Sequence, residues 1–400
     1  MSLSCTISAV VFCQPIIAWY FNQLSISSLI ANLIVVPIIE VVIIFGLFAG
    51  TIGLIVPFIA KIVFLMDSLI FGVAYEINKL IAALPASNLY FPTLNYIGII
   101  FYYAILIILI QKQINKKLLR STLIVFVVVM AFYIGIALTK PSTIEVHFID
   151  VHQGDAALVI TPNGHAMMFD TGGVREHRYD IGTRVDVPYL HHYGITKLDY
   201  IFLTHAHEDH AAGAGSIVKL VNVENIITAS EPKSEYAASM AISEQSSELS
   251  VLRPAIEGEV FNVDGVKIEV LYAPKFTGVT TGNEVSNVYK VTFGKFSALF
   301  TGDLVKENEA IILREGINVK STILKVGHHG SKTSSSKEFV EAVQPSYAVF
   351  CVGANNTFGH PRPEVVELME EVGAKIYRTD KNGAIVFTTD GNSIKVNCRL

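Results

Sequence analysis

The first 140 residues contain too few charges to fold in water as an ordinary domain. They hold 7 lysines and arginines and 3 aspartates and glutamates in a background of large aliphatic and aromatic residues. The remaining residues hold 23 basic and 32 acidic side chains, so the two parts carry about +4 and −9. This division predicts a helical membrane domain over residues 1–140 and a soluble acidic domain over residues 141–400.

Several apolar stretches of the first part are long enough to cross a bilayer, since about 17–23 helical residues span a hydrocarbon core of roughly 30 Å. These stretches are 3–21, 26–48, 94–110 and 122–138. Charged residues interrupt the region 52–84, which predicts a partial span followed by an amphipathic helix at the membrane surface. The first part should therefore cross the membrane several times.

A basic loop before the last stretch predicts the orientation of the chain. Lys112, Lys116, Lys117 and Arg120 lie in this loop. By the positive-inside rule the loop is cytoplasmic, so the final span leads outward. The soluble domain is therefore expected outside the cytoplasmic membrane.

Beyond residue 143 the sequence changes to short alternating or apolar runs. The predicted strands cover residues 144–150, 156–160, 166–170, 198–203, 268–272, 288–293, 298–300 and 347–352. Helical stretches separate the later strands. This pattern is typical of a sheet-rich α/β domain.

The segment 204–210 concentrates ligand-type side chains directly after a predicted buried strand. It contains His205, His207, Asp209 and His210, and small residues follow before a helix near Ser216. Imidazoles and carboxylates are the ligands that divalent zinc, manganese and iron prefer. A solvated polar turn is the alternative, but so many ligand types within a few residues favour a metal site.

Further ligand candidates stand in small-residue turns after other apolar strands. They are Asp170, Asp303 and His360. Two metals about 3.5–4 Å apart need several ligands and a bridging group, and a carboxylate bridges well. Each candidate also has a structural alternative, such as a helix cap for Asp170.

In their order along the chain, these residues resemble the motif series of the metallo-β-lactamase superfamily. The resemblance implies an αββα sandwich with the site at one edge of its paired sheets. It implies one metal on His205 and His207, a second on Asp209, His210 and His360, and a bridge by Asp303. Asp170 would orient a ligand or the attacking water, and Asp209, Asp170 and His329 are the expected catalytic residues.

One departure from that motif series concerns the first metal. The superfamily usually supplies another histidine between the cluster and the bridging aspartate, but residues 211–302 contain none. Asn283 and Ser286 stand in that region instead. A one-metal or manganese-preferring site is therefore expected. Two equally tight metals would require an unrecognised ligand, with His328 and His329 as the first candidates.

Further segments narrow the resemblance to the ComEC-type competence proteins of bacterial DNA uptake. They are Asp-Val-His-Gln-Gly-Asp at 150–155, the pair Asn283 and Ser286, and Lys-Val-Gly-His-His-Gly-Ser at 325–331. His152 replaces a usual glycine. Residues 27–37 are similar to the last helices of the family's competence domain. The family has earlier helices and an N-terminal domain, so this chain looks like the C-terminal part of such a protein.

The turn after His329 suggests a phosphate contact. Ser331 and Lys332 precede a helix near Glu338, where backbone N–H groups can bind an anion; a simple serine cap is the alternative. Asn283 and Ser286 are also assigned to substrate. His329 is expected to protonate the leaving oxygen.

The resemblance implies a membrane-anchored, metal-dependent phosphodiesterase or nuclease that acts on DNA during uptake, with one or two zinc or manganese ions. It would lie in the bacterial cytoplasmic membrane, with DNA, the membrane, and other uptake proteins or a missing N-terminal portion as partners. The alternatives are a non-catalytic gating component of a DNA channel and a membrane-anchored small-molecule phosphodiesterase or lactonase. The acidic charge of the soluble domain excludes general polyanion binding and confines DNA to the site mouth.

Overall fold

The computed structural model describes residues 2–84, 87–90, 96–111, 115–139, 142–174, 179–278 and 282–399. The chain divides into two compact units. One unit consists of Met1–Gly135 with His191–Gly194, and the other of Ile136–Leu190 with Ile195–Leu400.

The first unit is built from apolar helices. Its elements are α1 (Ser2–Phe21), β1 (Gln23–Ser25), α2 (Ser28–Gly53), α3 (Pro57–Ala82), β2 (Asn88–Tyr90), α4 (Tyr96–Leu109) and α5 (Lys116–Thr139). Within the described residues, α2 and α3 are long and apolar enough to cross a membrane. Shorter apolar helical runs lie at Thr6–Phe21 and Tyr96–Leu109.

The prediction for residues 52–84 was wrong, because one continuous helix occupies most of that region. The charges inside α3 do not break it. Asp67 is buried against Gly46 of α2, where an added Cβ would lie 3.3 Å from the carboxylate. Glu76 and Lys79 pair at 3.8 Å near the end of the helix. A small residue on the neighbouring helix thus accommodates the carboxylate without interrupting α3.

A tyrosine of α4 compensates for a proline inside α1. Pro15 has no N–H to donate to the carbonyl of Val11, four residues earlier. The hydroxyl of Tyr102 donates to that carbonyl at 2.8 Å instead. A backbone group that would lack a partner in an apolar environment is therefore satisfied from a second helix.

The second unit contains two large sheets and short helices. Its strands are β3 (Ile144–Phe148), β4 (Ala156–Ile160), β5 (Ala166–Thr171), β6 (Lys197–Phe202), β7 (Asn222–Thr228), β8 (Leu252–Pro254), β9 (Val260–Val263), β10 (Val266–Tyr272), β11 (Val288–Phe293), β12 (Phe296–Phe300), β13 (Ile323–Lys325), β14 (Tyr347–Phe350), β15 (Lys375–Arg378), β16 (Ala384–Thr389) and β17 (Ile394–Arg399). Its helices are α6 (Val187–His192), α7 (Glu208–Ala211), α8 (Ala214–Leu220), α9 (Lys233–Ser239), α10 (Lys306–Arg314), α11 (Lys337–Val343), α12 (Pro363–Glu371) and α13 (Thr379–Asn382).

The two sheets pack face to face. One has the order β17-β16-β3-β4-β5-β6-β7-β8 and the other β15-β14-β13-β12-β11-β10-β9. Phe169 of the first stacks on Phe300 of the second with ring centroids 4.4 Å apart. Residues of α10, α11 and α12 form a further apolar layer on the outer face of the second sheet. The predicted αββα sandwich is confirmed.

The parallel strands of each sheet determine where polar loops can gather. β5 through β8 pair in parallel in one sheet, and β12 through β15 do so in the other. The carboxyl ends of parallel strands lie at a common edge of a sheet. A shared site can therefore be built from the loops that follow β5, β6, β12, β13 and β14.

Candidate metal centre

Loops from both sheets bring ligand-type side chains together at this edge. In chain order they carry Asp170, the 204–210 segment, Asp303, the pair His328 and His329, and His360. Two groups of ligand atoms share Asp303, and in each group all atoms lie within 4.8 Å of one another; a third such group in the described residues consists of Asp155, Asp170 and His210. The first group consists of His205, His207 and Asp303, and the second of Asp209, His210, Asp303 and His329.

Asp303 belongs to both groups because a glycine lets two loops touch. Gly302 has a φ of +50°, and a Cβ at this position would lie 2.4 Å from the hydroxyl of Thr204. Thr204 directly precedes His205. A side chain at residue 302 would therefore push Asp303 away from the histidines, and its left-handed backbone also favours glycine.

Four buried atoms of the first and second groups have no hydrogen-bond partner within the described part of the chain. They are Nε2 of His205, Nε2 of His210, Nε2 of His329 and Oδ1 of Asp303. Buried polar atoms without partners are costly, and three imidazole nitrogens with a carboxylate oxygen suit a divalent cation. The residues present therefore fit the metal that such a cluster implies.

Hydrogen bonds on the side of the ring away from Asp303 hold His210 in its orientation. Its Nδ1 lies 2.8 Å from Oδ2 of Asp170, which leaves Nε2 directed towards Asp303. Asp170 also accepts the backbone N–H of Thr204 at 2.7 Å and its hydroxyl at 2.8 Å. Burial raises the pKa of Asp170, although His210 opposes this shift. Asp170 thus acts on the site through His210 and the 204–210 loop.

His329 reaches the second group through a strained turn. His328 and His329 have φ angles of 49° and 53°, a region that residues other than glycine seldom occupy. Each such residue costs on the order of 1–3 kcal/mol, and this strain is typical of functional sites. Nδ1 of His329 lies 2.8 Å from the carbonyl of Cys351. Its Nε2 faces Asp209 at 3.4 Å and Asp303 at 3.7 Å.

A buried ion pair lies beneath His329. The Lys325 ammonium contacts the carboxylate of Asp155 and donates to the carbonyl of Gly302 at 3.2 Å. The other carboxylate oxygen of Asp155 lies 3.2 Å from Nδ1 of His329. Both members of the pair are almost fully buried. Asp155 and Lys325 therefore connect the turn before Asp303 to the imidazole of His329.

The histidines of the two ligand groups differ in their protonation state. Burial lowers the pKa of His205 well below its ordinary value, so this imidazole is neutral. Burial also disfavours the charged form of His210, but Asp303 and other carboxylates outweigh burial and raise the pKa of His210 well above its ordinary value. Asp155 and Asp303 likewise overcome burial and raise the pKa of His329 to about 10. The second group therefore holds protons that a metal ion would displace.

His360 is not among the atoms of either group, although it lies close to them. Its ring centroid is 5.7 Å from that of His328, whose Nε2 lies 3.4 Å from Asp303. Burial, followed by His328 and His329, lowers the pKa of His360 to about 4. The structure therefore places His329, and not His360, beside Asp209 and His210.

A cavity of about 400 Å³ opens over both groups. It is lined by Gln153, His207, Glu208, Asp209, Asn283, Asp303, His328, His329, Phe358 and His360. Asn283 Oδ1 and the fully buried Ser286 Oγ have no hydrogen-bond partner in the described ranges. Of the two, Asn283 reaches the cavity.

Ser331 and Lys332 do not line this cavity. Ser331 is buried, and its hydroxyl lies 3.0 Å from that of Thr333. The N–H groups ahead of α11 already have an acceptor, because those of Ser335 and Ser336 donate to the carboxylate of Glu309 at 2.6 and 2.7 Å. The carboxylate of Glu309 thus occupies the place where the sequence suggested a phosphate.

A buried carboxyl group supports the loop that carries the first group. Glu231 accepts the backbone N–H of Ala206 at 2.8 Å and the hydroxyl of Tyr236 at 2.9 Å. Burial raises the pKa of Glu231 to about 7 against these two hydrogen bonds. Sequence reasoning assigned no role to Glu231, Asp155, Lys325 or Phe358. The motifs at 150–155 and 325–331 already contained two of these residues.

Comparisons with known proteins agree with this architecture. Residues 149–354 match the family model of the metallo-β-lactamase superfamily, and residues 1–116 match that of the competence proteins. The chain therefore belongs to the metallo-β-lactamase superfamily. The two matches together confirm the resemblance to ComEC-type competence proteins, and they indicate a membrane-associated chain with a hydrolase-type metal domain.

Similar curated proteins come from several bacteria. ComE operon protein 3 of Bacillus subtilis is 30% identical over 93% of this chain and 50% of its own length. Competence protein ComA of Neisseria gonorrhoeae is 34% identical over 62% of this chain and 32% of its own length. The chain thus spans half or less of the length of these relatives. Among solved structures, the metallo-β-lactamase fold protein YhfI of Bacillus subtilis matches 62% of this chain and all of its own, with 11% identity and a TM-score of 0.43.

Proposed function

We propose that this chain is a membrane-anchored, metal-dependent phosphodiesterase that cleaves DNA during uptake. The observation that carries the proposal is Asp303, a buried carboxylate shared by two groups of ligand atoms. A divalent cation bound there would lower the pKa of an attacking water and neutralise charge developing at phosphorus. A shared carboxylate is the arrangement that phosphodiester cleavage by paired metals uses.

The proposed ligand set has two unequal positions. His205 and His207 would hold one metal with Asp303, and the Asn283 amide oxygen, which lines the same cavity, is a candidate to complete this position. Asp209, His210 and His329 would hold the other with Asp303. Mixed imidazole and oxygen ligands suit zinc or manganese. His360, freed from the metal in this assignment, would face the substrate from the cavity wall.

The chain's own residues supply orientation and a hydrogen bond to the leaving oxygen. Asp170 fixes the tautomer of His210 by accepting from its Nδ1, and Cys351 does the same for His329. His328 is half-buried beside Asp303 and lines the cavity. We assign a hydrogen bond to the leaving oxygen to His328, whose pKa is lowered by burial, because His329 is committed to the metal in this proposal.

The acidic second part limits how DNA is held. Its net charge of about −9 would repel an extended polyanion. Bound cations reverse the local charge only at the cavity. We therefore propose that the site holds a few nucleotides of one strand and that partner proteins or further domains supply the remaining affinity.

The membrane location is proposed to be the bacterial cytoplasmic membrane, crossed several times, with the metal domain outside. The basic residues at 112–120 support this orientation through the positive-inside rule. A reporter active only outside the cytoplasm, fused after residue 140, should give a signal. A signal from a cytoplasm-specific reporter at the same position would contradict the orientation and with it the access to external DNA.

Hydrolysis by the full chain in detergent tests the activity. With manganese or zinc added, we expect cleavage of a labelled single-stranded oligonucleotide and loss of cleavage in Asp303→Asn. Asp390→Ala, in an exposed turn, is the matched control and should keep full activity. Cleavage of small esters but not of DNA would identify a small-molecule hydrolase. Stoichiometric metal binding with no hydrolysis would identify a gating component.

A further inference from the structure

The wall of the cavity contains an exposed aromatic ring beside its histidines. Phe358 is 40% exposed, and it is the one exposed phenylalanine of the second unit within the described residues. Phe169 and Phe300, by contrast, are buried between the sheets. An aromatic ring exposed in a polar cavity offers a face on which a planar group of a ligand can stack.

The ring of Phe358 packs beside a neighbouring imidazole. It lies nearly parallel to the imidazole of His360, with centroids 5.9 Å apart and an interplanar angle of 23°. His360 in turn packs at 74° against His328, whose Nε2 is 3.4 Å from Asp303. A planar group placed on Phe358 would therefore lie beside the cluster that is proposed to bind the scissile phosphodiester.

The loop that carries Phe358 is held before any ligand arrives. Asn356 donates to the carbonyls of Gly353 and His360 at 3.0 and 2.7 Å and accepts the N–H of His360 at 3.0 Å. The N–H of Gly353 donates to Gln153, which lines the same cavity. Binding on a preorganised loop loses less conformational entropy than binding on a mobile one.

We propose that Phe358, supported by His360, is the stacking surface for a nucleobase next to the scissile phosphodiester. This inference rests on the proposed function and narrows its substrate to a chain that carries bases. Stacking suits this site, because it tolerates every base sequence and needs no positive charge on an acidic domain. The cavity volume of about 400 Å³ lies within the range of small-ligand sites, about 300–1,000 Å³.

Paired oligonucleotides test the proposal in the full chain with manganese. One oligonucleotide has normal bases, and its partner has tetrahydrofuran abasic residues around the same phosphodiester. Base–aromatic stacking predicts that Phe358→Ala lowers kcat/KM about 5- to 100-fold on the normal strand. Cleavage of the abasic strand should be unchanged by that substitution. Phe358→Trp should keep activity on both strands, whereas Phe358→Leu should resemble Phe358→Ala.

A second readout does not depend on catalysis. A strand with 2-aminopurine next to the cleaved position should lose fluorescence when it binds the full chain, because stacking quenches this base. Phe358→Ala should abolish the quenching. Ile256→Ala removes an exposed apolar side chain outside the cavity and should leave the quenching intact.

The outcomes separate the two proposals. If Phe358→Ala slows both strands equally, or neither, and does not affect quenching, the stacking role is overturned while phosphodiesterase activity stands. If the unmodified chain, shown to contain metal, cleaves neither strand, the proposed function fails and this inference fails with it.

Discussion

The two ligand groups share Asp303 but differ in how the fold supports them. In the second group, Nδ1 of His210 and Nδ1 of His329 each contact an acceptor behind the ring. Both imidazoles are protonated, so each must lose its Nε2 proton before that nitrogen can bind a metal. In the first group, His205 is already neutral, with its Nδ1 3.1 Å from the hydroxyl of Thr204, and His207 is exposed. The position whose histidines are protonated is therefore the one whose metal affinity depends on pH.

Removal of the shared carboxylate should have the largest effect. Asp303→Ala takes a ligand from both groups, so we expect both metals to be lost and hydrolysis to fall by more than about 100-fold, the upper end for loss of one supporting partner. Elemental analysis of the purified chain gives the metal content. His205→Ala should lose only the first metal, and equal losses in the two variants would show that Asp303 does not serve both positions.

The pH dependence of metal binding should separate the positions. Raised pKa values of His210 and His329 mean that both hold protons at neutral pH when no metal is bound. Binding releases those protons, so the affinity of the second position should rise with pH, about tenfold per unit for each proton released. Competition with a chelator between pH 6 and pH 8 measures this slope. The first position should show a smaller slope, because His205 is already neutral, and a common slope would remove the distinction.

Substitution of single histidines tests which one completes the second position. His329→Ala should weaken the tighter metal about 10- to 100-fold or abolish its binding. His360→Ala should leave metal affinity unchanged while altering substrate KM. The reverse result would assign the ligand to His360, as the family resemblance first implied.

The smallest expected effect is that of Glu231, whose carboxyl group accepts a backbone N–H of the loop that carries the first group. Glu231 has a folded pKa of about 7, above its ordinary value of 4.5. Its neutral form therefore stabilises the fold below about pH 4.5, and this stability is lost as pH rises through 7. Glu231→Gln keeps the carbonyl acceptor without the charge. Above pH 7 the free energy of unfolding of Glu231→Gln, measured in detergent, should exceed that of the unmodified chain by about 1–3 kcal/mol. If the stability of both chains depends on pH in the same way, the raised pKa of Glu231 is contradicted.

Local patterns sufficed for much of the fold. Strands β4 and β11 have the predicted bounds, because their apolar runs end at turn residues. The cluster at 204–210 was also evident, since its ligands are adjacent in sequence. The continuity of α3 was missed because Asp67 is accommodated by Gly46, a contact between helices that no local pattern contains.

The finer structure of the site depends on long-range contacts. Asp155 and Lys325 are far apart in sequence, and only the packing of the two sheets brings them together. The left-handed backbone at His328 and His329 is unusual for histidine, so sequence alone could not show that His329 turns towards Asp303. The carboxylate of Glu309 at the start of α11 was equally invisible, because it comes from a separate helix.

The buried Lys325 has a consequence for the electroneutrality of the loaded site. With imidazoles neutral, the carboxylates of Asp155, Asp170, Asp209 and Asp303 together with this ammonium leave three negative charges. Glu208 lines the same cavity and adds a fourth negative charge. Two divalent cations, if bound as proposed, would then bring the total to zero. The carboxylates alone would leave one negative charge, so the buried lysine is the group that would make the loaded site neutral.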